Sequence, residues 1–458
     1  MKIIILGAGQ VGGTLARNLA TEDNDISIID TDKNQLSVLA NQLDLQTIYG
    51  HCANPTILQS AGIEDADIII AVTNSDETNM VACEIAHHLY HVPKKIARVR
   101  SPQYLKYKEK IFASDVFPID EVISPEKVVT DYIDKLISFP GALQVLDFAN
   151  GLVQLVAVKA YYGGPLVGHA IAALKDHMPT VDTRVAAIFR KGRPIKPDGQ
   201  TIIEADDEVF FIAAKPNIRK VMGELQRLEH PYQNIMIAGG GNVGEGLALK
   251  LEKDHEVKLI ETNKNRTIQL AEKLHQTVVL RGDASDRDML KNESIDQMDV
   301  FISVTNNDAA NIMSAMLAKH MGARKTMVLI NRTEYTDLIQ GSEIDVAISP
   351  QQATTGSLLT HIRRGDVTAV YSLRKGAAEA IETIAHGDEQ SSQVVGKAIG
   401  DVPLPPGTSI GAIVRENKVI IAHDNIVIKS EDHVILFMVD KSVINDVEDL
   451  FQVDASFF

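Results

Sequence analysis

Apolar runs and amphipathic stripes alternate along the first 140 residues. Lys2–Leu6 is a five-residue run, Lys-Ile-Ile-Ile-Leu, that stops on glycine and is too short for a helix, so it predicts a buried strand. A helix-period segment over about 11–19 follows, then a strand over Asp25–Asp30, a helix through 36–43, and strands at 47–51 and 66–73. Asn74, Ser75, Asp76 and Glu77 supply acceptors for the start of the next helix, and 96–100 reads as a fifth strand. Strands alternating with amphipathic helices predict a parallel sheet with right-handed crossovers. Ser124-Pro125-Glu126 opens a further helix with serine as N-cap and proline in the first turn. Its pairs Val128/Val129, Tyr132/Ile133 and Leu136/Ile137 repeat every four residues until Pro140-Gly141. That stripe is a crossover, a dimer seam or ordinary core packing. From 142 to about 228 the pattern changes to short strands at 152–157, 185–189 and 209–212, parted by Gly163-Gly164-Pro165 and Arg193-Pro194. This predicts an α+β segment with an antiparallel sheet.

Pro231 breaks the chain and the same programme restarts. Asn234–Ala238 runs into Gly239-Gly240-Gly241-Asn242-Val243-Gly244, 232 residues after Gly7-Ala8-Gly9-Gln10-Val11-Gly12. Gly282-Asp283, Val304-Thr305-Asn306-Asn307-Asp308, Asn311 and Arg332 stand 232 after Gly50-His51, Val72-Thr73-Asn74-Ser75-Asp76, Asn79 and Arg100, with Ile330 opposite Arg98. Ser349-Pro350 repeats Ser124-Pro125 at 225, which places a loss of about seven residues after Arg332. At that offset residues 186–190 and 207–211 face 411–415 and 432–436. The expected fold is α/β: two Rossmann-like N-domains with parallel sheets, at 1–123 and 232–348, each followed by a small α+β C-domain, at 143–228 and 367–453.

Composition narrows the class. At 458 residues, with 45% hydrophobic and 23% charged, this is a multidomain globular chain. Its 61 acids against 45 bases give a net charge of −16, which disfavours a sequence-independent grip on nucleic acid. The only cysteines, Cys52 and Cys83, form no Cys-x-x-Cys pair and point to a reducing compartment. The N-terminal apolar run is no signal peptide, and no stretch approaches the roughly 18 apolar residues of a membrane span.

The candidate chemistry sits in the glycine turns. In Gly-x-Gly-x-x-Gly after a strand, the first glycine makes the tight turn, the second lets backbone approach a pyrophosphate, and the third lets the helix pack on the strand. The helix N-terminus, beginning at Gln10-Val11 or Asn242-Val243, then aims its amides at the anion. Asp30 lies 23 residues after Gly7, and Glu261 lies 22 after Gly239. An acid at the end of the second strand takes the ribose hydroxyls and repels a 2′-phosphate, which favours NAD over NADP. Arg98 or Arg100 at the end of the fifth strand, with Arg332 in the second copy, would fork onto a terminal phosphate. His51 and Asp283 differ at a position flanking the adenine. Gly407-Thr408-Ser409-Ile410-Gly411 matches a nucleophile pattern but follows three prolines and precedes a strand, so it reads as a turn. His87 and His91 lack a third metal ligand, there is no Walker A sequence, and nothing places a general acid or base.

With both glycine loops, the strand-end acids, the Thr-Asn loops and the small α+β domains in place, the chain resembles the tandem members of the RCK (KTN) family that regulates potassium conductance. Runs such as "MKIIILGAGQVGGTLA", "SDETNMVAC", "VKAYYGGPLVG", "NIMSAMLAK" and "AISPQQAT" carry the likeness over the whole chain. The resemblance implies a non-enzymatic protein that binds NAD(H) and ATP or ADP. It also implies self-association into a ring, as a homotetramer, on the cytoplasmic side of the inner membrane, where the chain is peripheral and is bound to an integral-membrane potassium transporter or channel subunit. It assigns ligand binding to Gly7, Gly9, Gly12, Asp30, Thr73 and Arg100, and to Gly239, Gly241, Gly244, Glu261, Asp283, Thr305 and Arg332. His51 departs from the acid at Asp283. A soluble NAD-dependent dehydrogenase, and a scaffold that has lost its ligand, are the competing readings.

Overall fold

The structure is a computed structural model. It describes residues 1–458 except 21, 23, 113–115, 196, 228, 333, 334, 336–338, 340–342, 364, 365, 374–377, 440–442 and 453–458. The expected boundary residues Leu228 and Val453 lie outside the described residues. The chain divides into two compact units, residues 1–125 with 351–375 and 441–449, and residues 126–350 with 376–440 and 450–458.

The first unit holds a six-stranded parallel sheet of β1 (Lys2–Leu6), β2 (Asp25–Asp30), β3 (Gln46–Tyr49), β4 (Ile68–Ala71), β5 (Lys94–Arg98) and β6 (Glu121–Ile123). They stand in the order 3-2-1-4-5-6, the doubly wound arrangement whose order reverses beside β1. β1 pairs with β2 on one side (Lys2↔Asp25) and β4 on the other (Ile3↔Ile68), both parallel. Ile3, Ile4, Ile5 and Leu6 are all fully buried, as a central strand covered on both faces requires. Helix Gln10–Leu19 buries Val11, Leu15, Ala16 and Leu19, and Ser75 caps helix Asp76–His88 by accepting from the Thr78 amide at 3.1 Å. The same unit contains helix residues 351–362 and the strand Val367–Leu373. His361 Nδ1 lies 3.5 Å from Glu121, and Arg363 pairs with Glu22 at 2.5 Å.

The second unit repeats the parallel sheet with Asn234–Ala238, Glu256–Glu261, Val278–Arg281, Val300–Ser303, Lys325–Leu329 and Val346–Ile348 in the equivalent order. The apolar stripe of helix Pro125–Ser138 is a crossover packed in this unit. Val129, Ile133, Leu136 and Ile137 share a core with Ile235, Ile237 and Leu247, and Lys250 bonds to Asp131 and Asp134 at 2.7 and 3.0 Å. The first small sheet contains Ala142–Phe148, Val153–Lys159, Thr183–Arg190, Arg193–Ile195 and Glu208–Ala214, all antiparallel. The second contains Ala378–Ala385, Thr408–Arg415, Lys418–Ile421 and Asp432–Met438. One staple recurs in both. Arg190 grips Asp207 through two nitrogens at 2.9 Å, and Arg415 grips the fully buried Asp432 at 2.7 and 2.8 Å.

Two sequence expectations are corrected here. In the Gly-x-Ser-x-Gly segment only Gly407, at φ +82°, belongs to the turn. Ser409 lies in a strand opposite Phe437, so the strand begins at Thr408, inside the segment, and not after it. The fifth strand covers Lys94–Arg98, which leaves Arg100 two residues beyond it.

Candidate functional site

The matched glycines of the two turns meet different physical conditions. Gly7 and Gly239 stand at φ +104° and +110°, the left-handed region glycine adopts freely. A Cβ on Gly12 would fall 1.9 Å from the Gly7 carbonyl oxygen, and one on Gly244 1.8 Å from that of Gly239, so helix and strand meet there only without side chains. At Gly9 and Gly241, the N-cap positions of helices Gln10–Leu19 and Asn242–Leu251, a Cβ would meet nothing within 4 Å. That open space leaves backbone accessible at an exposed helix N-terminus, the arrangement that suits an anion. Gln10 and Asn242 are exposed, Val11 is buried and Val243 half-buried.

The strand-end acids are tied to the same turns. Asp30 accepts from the Ala8 amide at 2.5 Å and the Asp32 amide at 2.8 Å. Glu261 accepts from Gly240 and Asn263 at 2.8 and 2.7 Å. On the other side a Cβ on Gly7 would lie 3.1 Å from Thr73, and one on Gly239 3.0 Å from Thr305, so the glycine turn and the threonine loop abut where the strand order reverses. A buried asparagine organises each threonine loop. Asn79 accepts from the Thr73 amide and hydroxyl at 3.0 and 2.7 Å and donates to the Arg98 carbonyl at 2.9 Å. Asn311 does the same with Thr305 at 2.9 and 2.5 Å and with the Leu329 carbonyl at 2.9 Å. The repeat showed Asn79 and Asn311 as matching positions, but their full burial is what reveals the clamp.

These bonds correct the arginine alignment. Arg100 and Ser101 donate their amides to Asp76, whereas Asn331 and Arg332 donate theirs to Asp308, the equivalent carboxylate. Ile68 pairs with Lys94 and Val300 with Lys325, so the offset on the fifth strand is 231. The connection between helix Asp308–His320 and its strand is one residue shorter than its counterpart. Arg98 therefore matches Leu329, Arg100 matches Asn331, and Arg332 matches Ser101. Arg98 is half-buried at the strand end, Arg100 is exposed, and the exposed Arg332 has its guanidinium 5.9 Å from the Tyr335 ring centre.

His51 and Asp283 are both exposed and form the same turn. His51 Nδ1 accepts from the Ala53 amide at 3.3 Å, and Asp283 Oδ1 accepts from Ser285 at 2.8 Å. Beneath the first turn Cys52 is buried, and its thiol is pushed up to about 12 by that burial and by the neighbouring Asp30. The second turn carries a network that motif reading passed over. Arg266 donates from Nε to the Gly240 carbonyl at 2.6 Å and pairs with Glu245, which also holds Lys273 at 2.8 Å. Burial works to raise the Glu245 carboxyl, but Lys273 and Arg266 hold it below its usual range. Among the described residues no cluster of three or more metal-ligating side chains occurs, and no helix is long and apolar enough to cross a membrane.

The TrkA-N domain family matches residues 3–125 and 235–350, and the TrkA-C domain family matches 155–226 and 389–452. The Trk system potassium uptake protein TrkA of Vibrio alginolyticus is 61% identical over 457 residues, covering 100% of both chains. The chain belongs to the TrkA family. A second TrkA, from Halomonas elongata, is also 61% identical with 100% of both chains covered. Neither relative carries an enzyme's name. The GsuK RCK domain superposes with a TM-score of 0.61 at 18% identity over 98% of this chain and 95% of its own. The GsuK channel bound to NAD gives 0.61 at 18%, over 98% and 79%. These TrkA N- and C-domain pairs thus share the RCK fold.

Proposed function

We propose that this TrkA chain is the nucleotide-sensing regulatory subunit of a Trk-type potassium uptake system. Two RCK N-domains, 1–123 and 232–348, bind NAD(H) and ATP or ADP. The C-domains, 143–228 and 367–453, complete a protomer that assembles into a homotetrameric ring. The ring docks at the cytoplasmic face of the inner membrane on a separate integral-membrane Trk transporter subunit and sets its potassium flux. The relatives' names support the potassium system, and a fold neighbour that is itself an NAD-bound channel supports the nucleotide. The observation that carries the reading is the open space over Gly9 and Gly241, each at a helix N-terminus beside a strand-end acid. The pyrophosphate lies over Gly7, Gly9, Gly12 or Gly239, Gly241, Gly244, with the ribose at Asp30 or Glu261 and the remaining phosphates towards Thr73 or Thr305.

The test is calorimetric titration of NAD and ATP into the full-length protein, followed by potassium flux with the membrane subunit in vesicles. Gly9→Val and Gly241→Val have room for their side chains in the free protein, so each folds and each removes about one equivalent of nucleotide. Unchanged stoichiometry in both variants, or flux indifferent to every nucleotide, refutes the assignment.

A further inference from the structure

The two nucleotide loops carry opposite charge where they face the ribose. Helices Lys33–Gln42 and Lys264–Lys273 both follow the strand-end acid, and Asp32 and Asn263 both cap them. Residues 30–35 are therefore equivalent to 261–266, Asp-Thr-Asp-Lys-Asn-Gln against Glu-Thr-Asn-Lys-Asn-Arg. Asn263 removes an acid and Arg266 adds a base, so a loop with a net negative charge becomes one with a net positive charge. This is the segment that reads the ribose 2′ position, where an acid selects a hydroxyl and a nearby arginine accommodates a phosphate.

Arg266 is placed for that role. Gly240 joins it to the strand-end acid, the Gly240 N–H donating to Glu261 at 2.8 Å and the Gly240 carbonyl accepting from Arg266 at 2.6 Å. Its other charged partner, Glu245, keeps Lys273 at 2.8 Å, so Arg266 can turn towards a ligand without stranding a carboxylate. The first copy has Gly13, Gln35 and Gln42 at the positions of Glu245, Arg266 and Lys273, and none of these carries charge; the guanidinium beside them, Arg17, comes from helix Gln10–Leu19 and donates to Gln42 at 3.4 Å, where the second copy has Leu249.

We infer that Arg266 is a specificity-determining residue that lets the second site accept an adenosine nucleotide bearing a phosphate on its ribose, the NADP class, whereas the first site rejects it. The inference rests on the nucleotide reading above. Compared with a 2′-hydroxyl, the added phosphate meets Asp30 and Asp32 with no arginine in the first loop. In the second it meets Glu261 beside Arg266, in a region partly shielded from water.

The experiment uses the full-length protein with one site closed at a time, and calorimetry with NAD and NADP. With only the second site open, in Gly9→Val, the two affinities should agree within about tenfold. With only the first open, in Gly241→Val, NADP should be weaker than NAD by on the order of a hundredfold or more. Adding Arg266→Gln to Gly9→Val should weaken NADP at least about tenfold while NAD changes less than about threefold, and Arg266→Lys should restore part of the loss. Adding Asp32→Asn and Gln35→Arg to Gly241→Val should bring NADP binding to the first site. The same NAD-to-NADP ratio in both single-site proteins overturns the inference, as does Arg266→Gln weakening both ligands alike. If neither single-site protein binds NAD, the nucleotide assignment itself falls and this inference with it.

Discussion

His51 and Asp283 occupy one place in their turns and leave different hydrogen-bonding capacity over. A neutral histidine whose Nδ1 accepts from Ala53 carries its proton on Nε2 and can only donate from there. Asp283 spends Oδ1 on Ser285 and keeps an acceptor in Oδ2, which suits the adenine amino group. A hydrogen bond to a charged group contributes about 1.5–3 kcal/mol, so the second site should prefer ATP to GTP at least about tenfold more strictly than the first. Titration of both nucleotides into Gly9→Val and Gly241→Val proteins checks this, and His51→Asp and Asp283→His should exchange the preferences. Base selectivity unmoved by either exchange would exclude these residues from reading the adenine. The thiols give a second outcome at this scale. Burial pushes Cys83, and burial with Asp30 pushes Cys52, from 9.0 up to about 12. The neutral thiol is the native form, so its stabilisation is complete below pH 9. As pH rises from there to about 12, each thiol should cost the fold about 1.4 kcal/mol per unit. Urea unfolding between pH 8 and 11 measures the slope, which the Cys52→Ala/Cys83→Ala protein should flatten. The turn at Gly7 and the close packing at Gly12 were legible in the sequence because both follow from spacing alone. The tautomer of His51 was not, because it depends on one amide two residues away.

Helices Pro125–Ser138 and Pro350–Ile362 are exchanged between the halves of the sequence. The first packs in the unit of the second parallel sheet, and residues 351–362 belong to the unit of the first. Fragments 1–232 and 233–458 should therefore each expose an apolar sheet face and aggregate when expressed alone, yet yield a soluble complex when expressed together. Two separately soluble fragments with native near-ultraviolet dichroism would contradict the exchange. Periodicity gave the helix and its apolar face, since Val129, Ile133 and Leu136 recur at helical spacing. It carries no information about which of two nearly identical sheets the face will meet. The arginine register was hidden for a related reason. A single deletion in the connection before Lys325 shifts a strand without altering its apolar character, and Arg332 kept a plausible partner in Arg100 at the wrong offset. Backbone bonds to Asp76 and Asp308 fix the register, and neither aspartate stood out from other helix-starting acids.

At the scale of the whole molecule, the regulation proposed above is a linkage. A nucleotide would shift the transporter only by its differential affinity for the two gating states, a coupling of about 1–3 kcal/mol, and the effect would be reciprocal. Nucleotide affinity measured with the membrane subunit in vesicles should thus differ from that of the free protein by about 5–150-fold, in the direction set by whether that nucleotide raises or lowers flux. Identical affinities alongside a nucleotide-dependent flux would require turnover instead. Net charge and composition described this level only coarsely, because assembly depends on surface detail that an average conceals. The exchanged helices also impose a schedule on synthesis. The first parallel sheet is complete at Ile123, but the helix that joins its unit leaves the ribosome roughly 240 residues later. At about 5–20 residues per second this leaves the nascent sheet uncovered for some tens of seconds. A folding helper that shields apolar surface has that interval in which to act, and stalling translation before residue 350 should hold the chain in its grip.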